Sequence, residues 1–196
     1  MNPIFIPFIL FIALLSVSSS AIIVRYLTEL NALPIAFGRM LFAGIILWIY
    51  SLFKPQGKMS NRNRKRTFLA GIFLGFHFAL FFTAVKLTTL ANATLYGTLA
   101  PIFTVLIDRL IYKNNISINV IIGLGLAISG SIIIQYTGIG FKNNSFYGDI
   151  AAIFCSFWMA IVLIITKEVR NESGTVAYSR TIYISAALTL LLLCLF

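Results

Sequence analysis

FLAGIFLGFHFALFFTAV, residues Phe68–Val85, carries no Lys, Arg, Asp or Glu. As an α-helix it would rise about 27 Å, close to the roughly 30 Å hydrocarbon core of a bilayer. No polar face is left for water. Gly71, Gly75, Ala79 and Thr83 recur every fourth position, which puts small residues on one stripe where another helix can approach. Six further stretches read the same way: Ile4–Val24, Pro34–Phe53, Leu90–Ile107, Val120–Tyr136, Ile150–Ile165 and Ile182–Phe196. The expected fold is therefore all-α, a polytopic transmembrane helix bundle of seven spans.

Composition agrees. The 196 residues are 60% hydrophobic and 10% charged, against soluble averages of about 45–50% and about 25%. A water-soluble domain of this length has too little interior to hide that much apolar surface. Cys155 and Cys194 fall inside predicted spans without metal or disulfide spacing, so packing is their expected role.

The charges sort by connection. The second holds Lys54, Lys58, Arg62, Arg64, Lys65 and Arg66, the fourth Arg109 and Lys113, and the sixth Lys167 and Arg170. The first, third and fifth hold only Arg25, Lys86 and Lys142. This alternation is the positive-inside pattern and puts the N-terminus in the cytoplasm. It also accounts for the net charge of +10 without a nucleic-acid partner. The run Ile4–Leu15 followed by Ser16, Ser18, Ser19, Ser20 and Ala21 has something of a secretory signal. No Lys or Arg precedes it, however, and the apolar run continues to Val24, so an uncleaved span is expected. Four N-x-S/T tripeptides, at Asn92, Asn115, Asn143 and Asn171, are assigned no glycan.

Small residues mark expected helix seams: Gly71 and Gly75 in the third span, Gly97 in the fourth, and Gly123, Ala127 and Ser131 in the fifth, with Gly125, Ser129 and Gly130 beside them. Ser16 and Ser20 form a shorter stripe in the first. Pro101 deprives the Gly97 carbonyl of its donor and should bend the fourth span.

An internal repeat is also present. Pro34-Ile35-Ala36-Phe37-Gly38-Arg39 aligns with Thr175-Val176-Ala177-Tyr178-Ser179-Arg180, and Ala21-Ile22-Ile23-Val24 with Ala160-Ile161-Val162-Leu163. Spans one and two thus correspond to spans six and seven. A repeat unit of five spans, an odd number, turns the second copy upside down, with Arg39 near the outer surface and Arg180 near the inner one. Inverted repeats of this kind recur in secondary transporters.

Three stretches carry a resemblance: PIAFGRMLFAG (Pro34–Gly44), AVKLTTLANATLYGTLAPIFTVLI (Ala84–Ile107), and IIGLGLAISGSIII (Ile121–Ile134) with Gly148-Asp149 after it. Together they resemble the EamA-type transporters of the drug/metabolite transporter superfamily. That resemblance implies ten helices in two five-helix repeats, both termini inside, and export or exchange of metabolites, amino acids or drugs. On it, residues 1–137 form a first repeat and 148–196 an incomplete second one, with three helices expected beyond Phe196. Asn114 stands where the family usually carries a Glu beyond the fourth helix.

An ionisable group in hydrocarbon costs about 2.5–3.5 kcal/mol on insertion scales. His77, the single histidine, lies near the middle of its span and titrates near neutrality, so it is a candidate for proton coupling or substrate binding. The alternative is a neutral ring bonded to a neighbouring helix. Arg39 either snorkels or meets an acidic substrate, and Arg180 is its repeat mate. Asn92 and Tyr96, four apart on one helix face, and Trp158 complete the candidate path. The expected partners are a small-molecule substrate, the lipid bilayer, a proton as coupling ion and a second copy in a homodimer. The expected location is the inner (plasma) membrane.

Other classes were weighed. A transport-inactive remnant, or an assembly partner of the same family, fits the incomplete second repeat. An intramembrane enzyme lacks a Gly-x-Ser-x-Gly elbow, a His-Glu-x-x-His pair or paired carboxylates within the spans, and no cofactor or metal is implied. A channel lacks rings of charge or a filter-like loop. Cysteine-accessibility labelling of intact cells should find the Lys54–Arg66 segment protected; labelling from outside would overturn the orientation.

Overall fold

A computed structural model describes residues 5–27, 29–54, 57–111, 113, 116–136 and 146–195. Its elements are α1 (Phe5–Tyr26), α2 (Ala32–Phe53), α3 (Asn61–Leu87), α4 (Leu90–Gly97), α5 (Ala100–Ile111), α6 (Ile118–Tyr136), α7 (Phe146–Arg170) and α8 (Thr175–Leu195). Taking α4 and α5 as one interrupted segment, six of these are long and apolar enough to cross a membrane. The remaining helix, α6, has 19 residues over the expected fifth span. The chain is an all-α polytopic bundle.

The central helix is α3, which touches α1, α2, α4, α7 and α8. Its 27 residues make it about 40 Å long, more than the hydrocarbon core requires. The excess lies at its N-terminus, where Ser60 caps the helix by accepting from the Asn63 N–H at 3.2 Å. Arg62, Arg64, Lys65 and Arg66 therefore lie on the first turns of α3, not in the connecting loop where the sequence reading put them. The partial positive charge at a helix N-terminus favours acids over bases, and α7 supplies them. Arg66 pairs with Glu168 at 2.7 Å, and Asn63 Nδ2 donates to Glu172 at 2.9 Å.

The stripe on α3 packs against α8 with almost no space between. A Cβ on Gly71 would lie 2.4 Å from the Ser185 Cβ and 2.7 Å from the Ile182 carbonyl oxygen. One on Gly75 would lie 2.8 Å from the Thr189 Cβ. These contacts advance together along both chains, so α3 and α8 run parallel. By the same test α2 and α8 are antiparallel: Gly44 faces Ile184, with a Cβ there 2.9 Å from its Cγ1, while Ser51 meets Arg180.

At the opposite end of α3, side chains close the helix ends. Arg25 donates to the Thr88 carbonyl at 2.8 Å and to that of Val85, and Lys86 donates to the carbonyls of Leu27 and Leu30. Asp149, in the first turn of α7, accepts from Thr88 Oγ1 at 2.7 Å and from Asn92 Nδ2 at 3.2 Å. Gly148 makes this junction sterically feasible. A Cβ there would sit 2.8 Å from the Thr88 backbone nitrogen and 3.0 Å from the Leu87 carbonyl carbon, neither of which can swing aside.

The fourth span differs from the bent single helix expected of it. It breaks after Gly97, and α5 restarts at Ala100 with Pro101 in its first turn, where a missing N–H leaves no bond unmade. Gly123 and Gly130 also differ from expectation: a Cβ at either would meet nothing within 4 Å, and no described residue of α6 is buried. Among the described residues, no helix packs on their face. The side chains of Ala127 and Ser131, and the residues Asn114, Asn115, Lys142 and Asn143, lie outside the described residues.

Replacing Gly148 by Ala should lower the stability of the purified protein by about 1–3 kcal/mol through overpacking against backbone. A thermal melt in detergent measures this, and an unchanged midpoint would contradict the packing described.

Candidate functional site

Among the described residues, a cavity of about 920 Å³ lies between α1, α3, α4 and α7 and is edged by Arg39 of α2. Part of its wall comes from the break in the fourth span, where α4 stops after eight residues. The chain between Gly97 and Ala100 is then not coiled against its neighbours, and Gly97, Thr98 and Ala100 become wall. Gly97 also gives Phe81 room, since a Cβ there would be 3.0 Å from its ring. Val17 and Ile22 of α1, Leu90 of α4, and Met159 and Leu163 of α7 make most of the remaining wall apolar.

Two polar side chains predicted from sequence, Arg39 and His77, are brought together on this wall. Arg39 Nη1 donates to Ser20 Oγ at 2.8 Å, and its Cζ lies 5.0 Å from the Phe78 ring centroid and 6.0 Å from that of Phe82. Aromatic faces are negative, so both rings favour the cation. His77 packs edge-on to Phe78, with centroids 4.9 Å apart, and lies parallel to Phe81 at 6.2 Å. Its Nδ1 lies 2.8 Å from the Cys155 carbonyl oxygen. A carbonyl only accepts, so in the neutral ring Nδ1 carries the hydrogen and Nε2 is the acceptor. Ser20, Arg39, Phe78, His77 and the α7 backbone thus form one chain of contacts across four helices.

The other sequence candidates lie elsewhere. Asn92 is buried at the α4–α7 junction, bonded to Asp149, with its backbone N–H capped by Thr89 at 3.1 Å. It holds helices together and does not line the cavity. The Tyr96 carbonyl accepts from Ser156 Oγ, another α4–α7 tie. Trp158 stacks on Phe73 at 5.1 Å and on Phe76 at 5.6 Å, filling the α3–α7 contact. Arg180 donates to Ser51 Oγ at 2.7 Å near the far end of the bundle. Sequence reasoning did not single out Phe78, Phe81 or Thr94. Phe78 and Phe81 sit one and four residues after His77, a spacing that would have marked them.

The ends of the bundle divide by charge. Lys54, Lys58 and the basic first turns of α3 share one end with Lys167 and Arg170, where Thr104 and Asp108 of α5 line a smaller hollow with Lys167 and Asn171. Arg25 and Lys86 lie at the other end. The carboxylates also keep to the ends: Asp149 in the first turn of α7, Glu168 and Glu172 near its close, and Asp108 near the close of α5.

The chain has no match at the level of curated individual proteins. A family model, the EamA-like transporter family, matches residues 4–136, from the start of α1 to the end of α6. With its membrane-length helices and the cavity among them, the chain belongs to the EamA-like transporter family and is a multi-pass membrane protein of transporter type.

Proposed function

We propose that the protein exports or exchanges small organic solutes across the plasma (inner) membrane by alternating access. The observation that carries this reading is the mid-bundle cavity of about 920 Å³, apolar over most of its wall and bearing one guanidinium and one imidazole. Solute sites commonly have about 300–1,000 Å³ and a few polar groups set in apolar surroundings. His77 is the proposed proton-coupling group: with Nδ1 held by the Cys155 carbonyl, Nε2 is the position that takes a proton.

The proposed mechanism rests on an inverted repeat, with residues 1–137 as one copy and 148–196 as helices of a second. Support comes from the sequence match around Arg39 and Arg180 and from the antiparallel contact of α2 with α8 at Gly44 and Ile184. Rocking about such a contact would open the cavity first to one side and then to the other. The proposed orientation, N-terminus in the cytosol, follows from the basic end where Lys54, Lys58 and the first turns of α3 meet the close of α7.

The test uses proteoliposomes loaded with a fluorescent pH indicator and presented with a panel of organic acids, amines and amino acids. At least one solute should move protons faster than in protein-free vesicles. Ala91→Phe, which fills the cavity from α4, should slow that movement by about tenfold or more. His77→Gln should abolish the proton signal while radiolabelled solute still flows down its gradient. A wild-type rate in Ala91→Phe would exclude the cavity as the solute path.

A further inference from the structure

We propose that the cavity selects an amphipathic monoanion, a carboxylate or similar oxyanion on an apolar or aromatic body, and that Arg39 is its anion-binding residue. This rests on the solute-carrier reading above and narrows it to a substrate class.

Charge balance carries the inference. The chain has five acidic residues, Glu29, Asp108, Asp149, Glu168 and Glu172, and none of them lines the cavity. Asp149 is engaged by Thr88 and Asn92, and Glu168 by Arg66. Arg39 is the one formally charged side chain on the cavity wall. The partners it does have are ordinarily neutral: the Ser20 hydroxyl, the rings of Phe78 and Phe82, and the nearby Tyr183 phenol. A guanidinium presents five N–H donors in a planar fork that matches a carboxylate bidentately, and one hydroxyl cannot satisfy that fork. A charge-assisted pair in this apolar setting is stronger than a neutral hydrogen bond by about twofold.

The same wall discriminates against cations and zwitterions. An ammonium group would find no carboxylate there and would lie in the field of Arg39. The Phe78 face, which could otherwise attract it, is already covered by the guanidinium. Free amino acids are therefore poor ligands for this cavity, whereas an aryl or alkyl acid can pair its head with Arg39 and lay its body against Phe81 and Met159. A lipid headgroup phosphate offers the same oxyanion chemistry, so the test must separate the two sources.

The full chain in phosphatidylcholine nanodiscs is assayed for equilibrium binding of radiolabelled 3-phenylpropanoate. Competitors are 3-phenylpropanamide, 3-phenylpropylamine and phenylalanine, which share the phenyl ring and differ in charge. The acid should bind about tenfold or more tighter than the amide, a preference of about 1.4 kcal/mol. The amine and the zwitterion should compete least. Arg39→Gln should bring acid and amide to equal affinity, and Arg39→Lys should keep part of the preference. Ala91→Phe, on the α4 wall, should weaken acid and amide alike, which keeps the proposal testable if Arg39→Gln does not fold.

Equal binding of acid and amide by the wild type, or tighter binding of the amine, would overturn the substrate class and leave the carrier reading standing. No binding by any probe, together with a wild-type solute rate in Ala91→Phe, would overturn both. Phosphatidylglycerol nanodiscs should leave the affinity for the acid unchanged. A competitive loss of about tenfold there would assign the oxyanion to lipid and overturn the free-solute proposal.

Discussion

Helices in lipid gain nothing by hiding apolar surface from one another, because the surrounding tails are as apolar as Leu. What holds them together is contact distance: dispersion is worth only about 0.1–0.2 kcal/mol per atom pair and falls off within an ångström of optimal separation. Among the described glycines, Gly71 has the least room for a Cβ: at the seam of α3 with α8, Gly71 and Gly75 have none, and the side chains of Ser185 and Thr189 fill the space one would take. Since α3 also touches α1, α2, α4 and α7, its placement on α8 sets the position of nearly every other packed helix. Gly148 does the equivalent at one end, letting α7 begin against the α3–α4 turn.

Polar groups follow the same division between middle and ends. Arg66 with Glu168, Asn63 with Glu172, and Asp149 with Thr88 and Asn92 tie α3, α4 and α7 near their termini, where water and headgroups share the burden of solvation. Between the ends, hydroxyls donate to carbonyls of their own helix or of a neighbour, as Thr189 does to Ser185, Ser156 to Tyr96 and Ser185 to Phe68, and the imidazole of His77 meets a carbonyl of α7. Arg39 stands apart as a formal charge on the cavity wall with neutral partners. The break after α4 supplies part of the same wall.

The transmembrane helices and the seam on α3 were legible in the sequence, because each depends on local hydropathy or on fourfold spacing within a single helix; that Arg39 of α2 and His77 of α3 line one cavity was not. What was not legible depends on which neighbour a face meets. Asn92 and Tyr96 share a helix face by spacing, yet the Asn92 side chain is taken by Asp149 of α7, and Tyr96 meets α7 through its backbone carbonyl. Trp158 was absorbed by Phe73 and Phe76 for the same reason. Gly123 and Gly130 have the spacing of a seam but no described helix opposite them. The basic residues Arg62–Arg66 looked like a loop by charge alone; Ser60 as a cap and the acids at the end of α7 make them helical. Pro101 signalled a disturbance in the fourth span without revealing that the helix would stop and restart.

The most direct test of α3 as the positioned centre of the bundle is a double-mutant cycle across its seam with α8. Gly75→Ala places a methyl 2.8 Å from the Thr189 Cβ and 3.0 Å from its Cγ2, with the Ala186 carbonyl oxygen next at 3.2 Å. Thr189→Gly removes the first two obstacles. Thermal unfolding in detergent should show each single variant destabilised and the double variant less so than their sum, with a favourable coupling of about 0.5–3 kcal/mol. Additive losses, or a Gly75→Ala variant as stable as the wild type, would mean that α3 and α8 do not meet at this distance and would contradict the account.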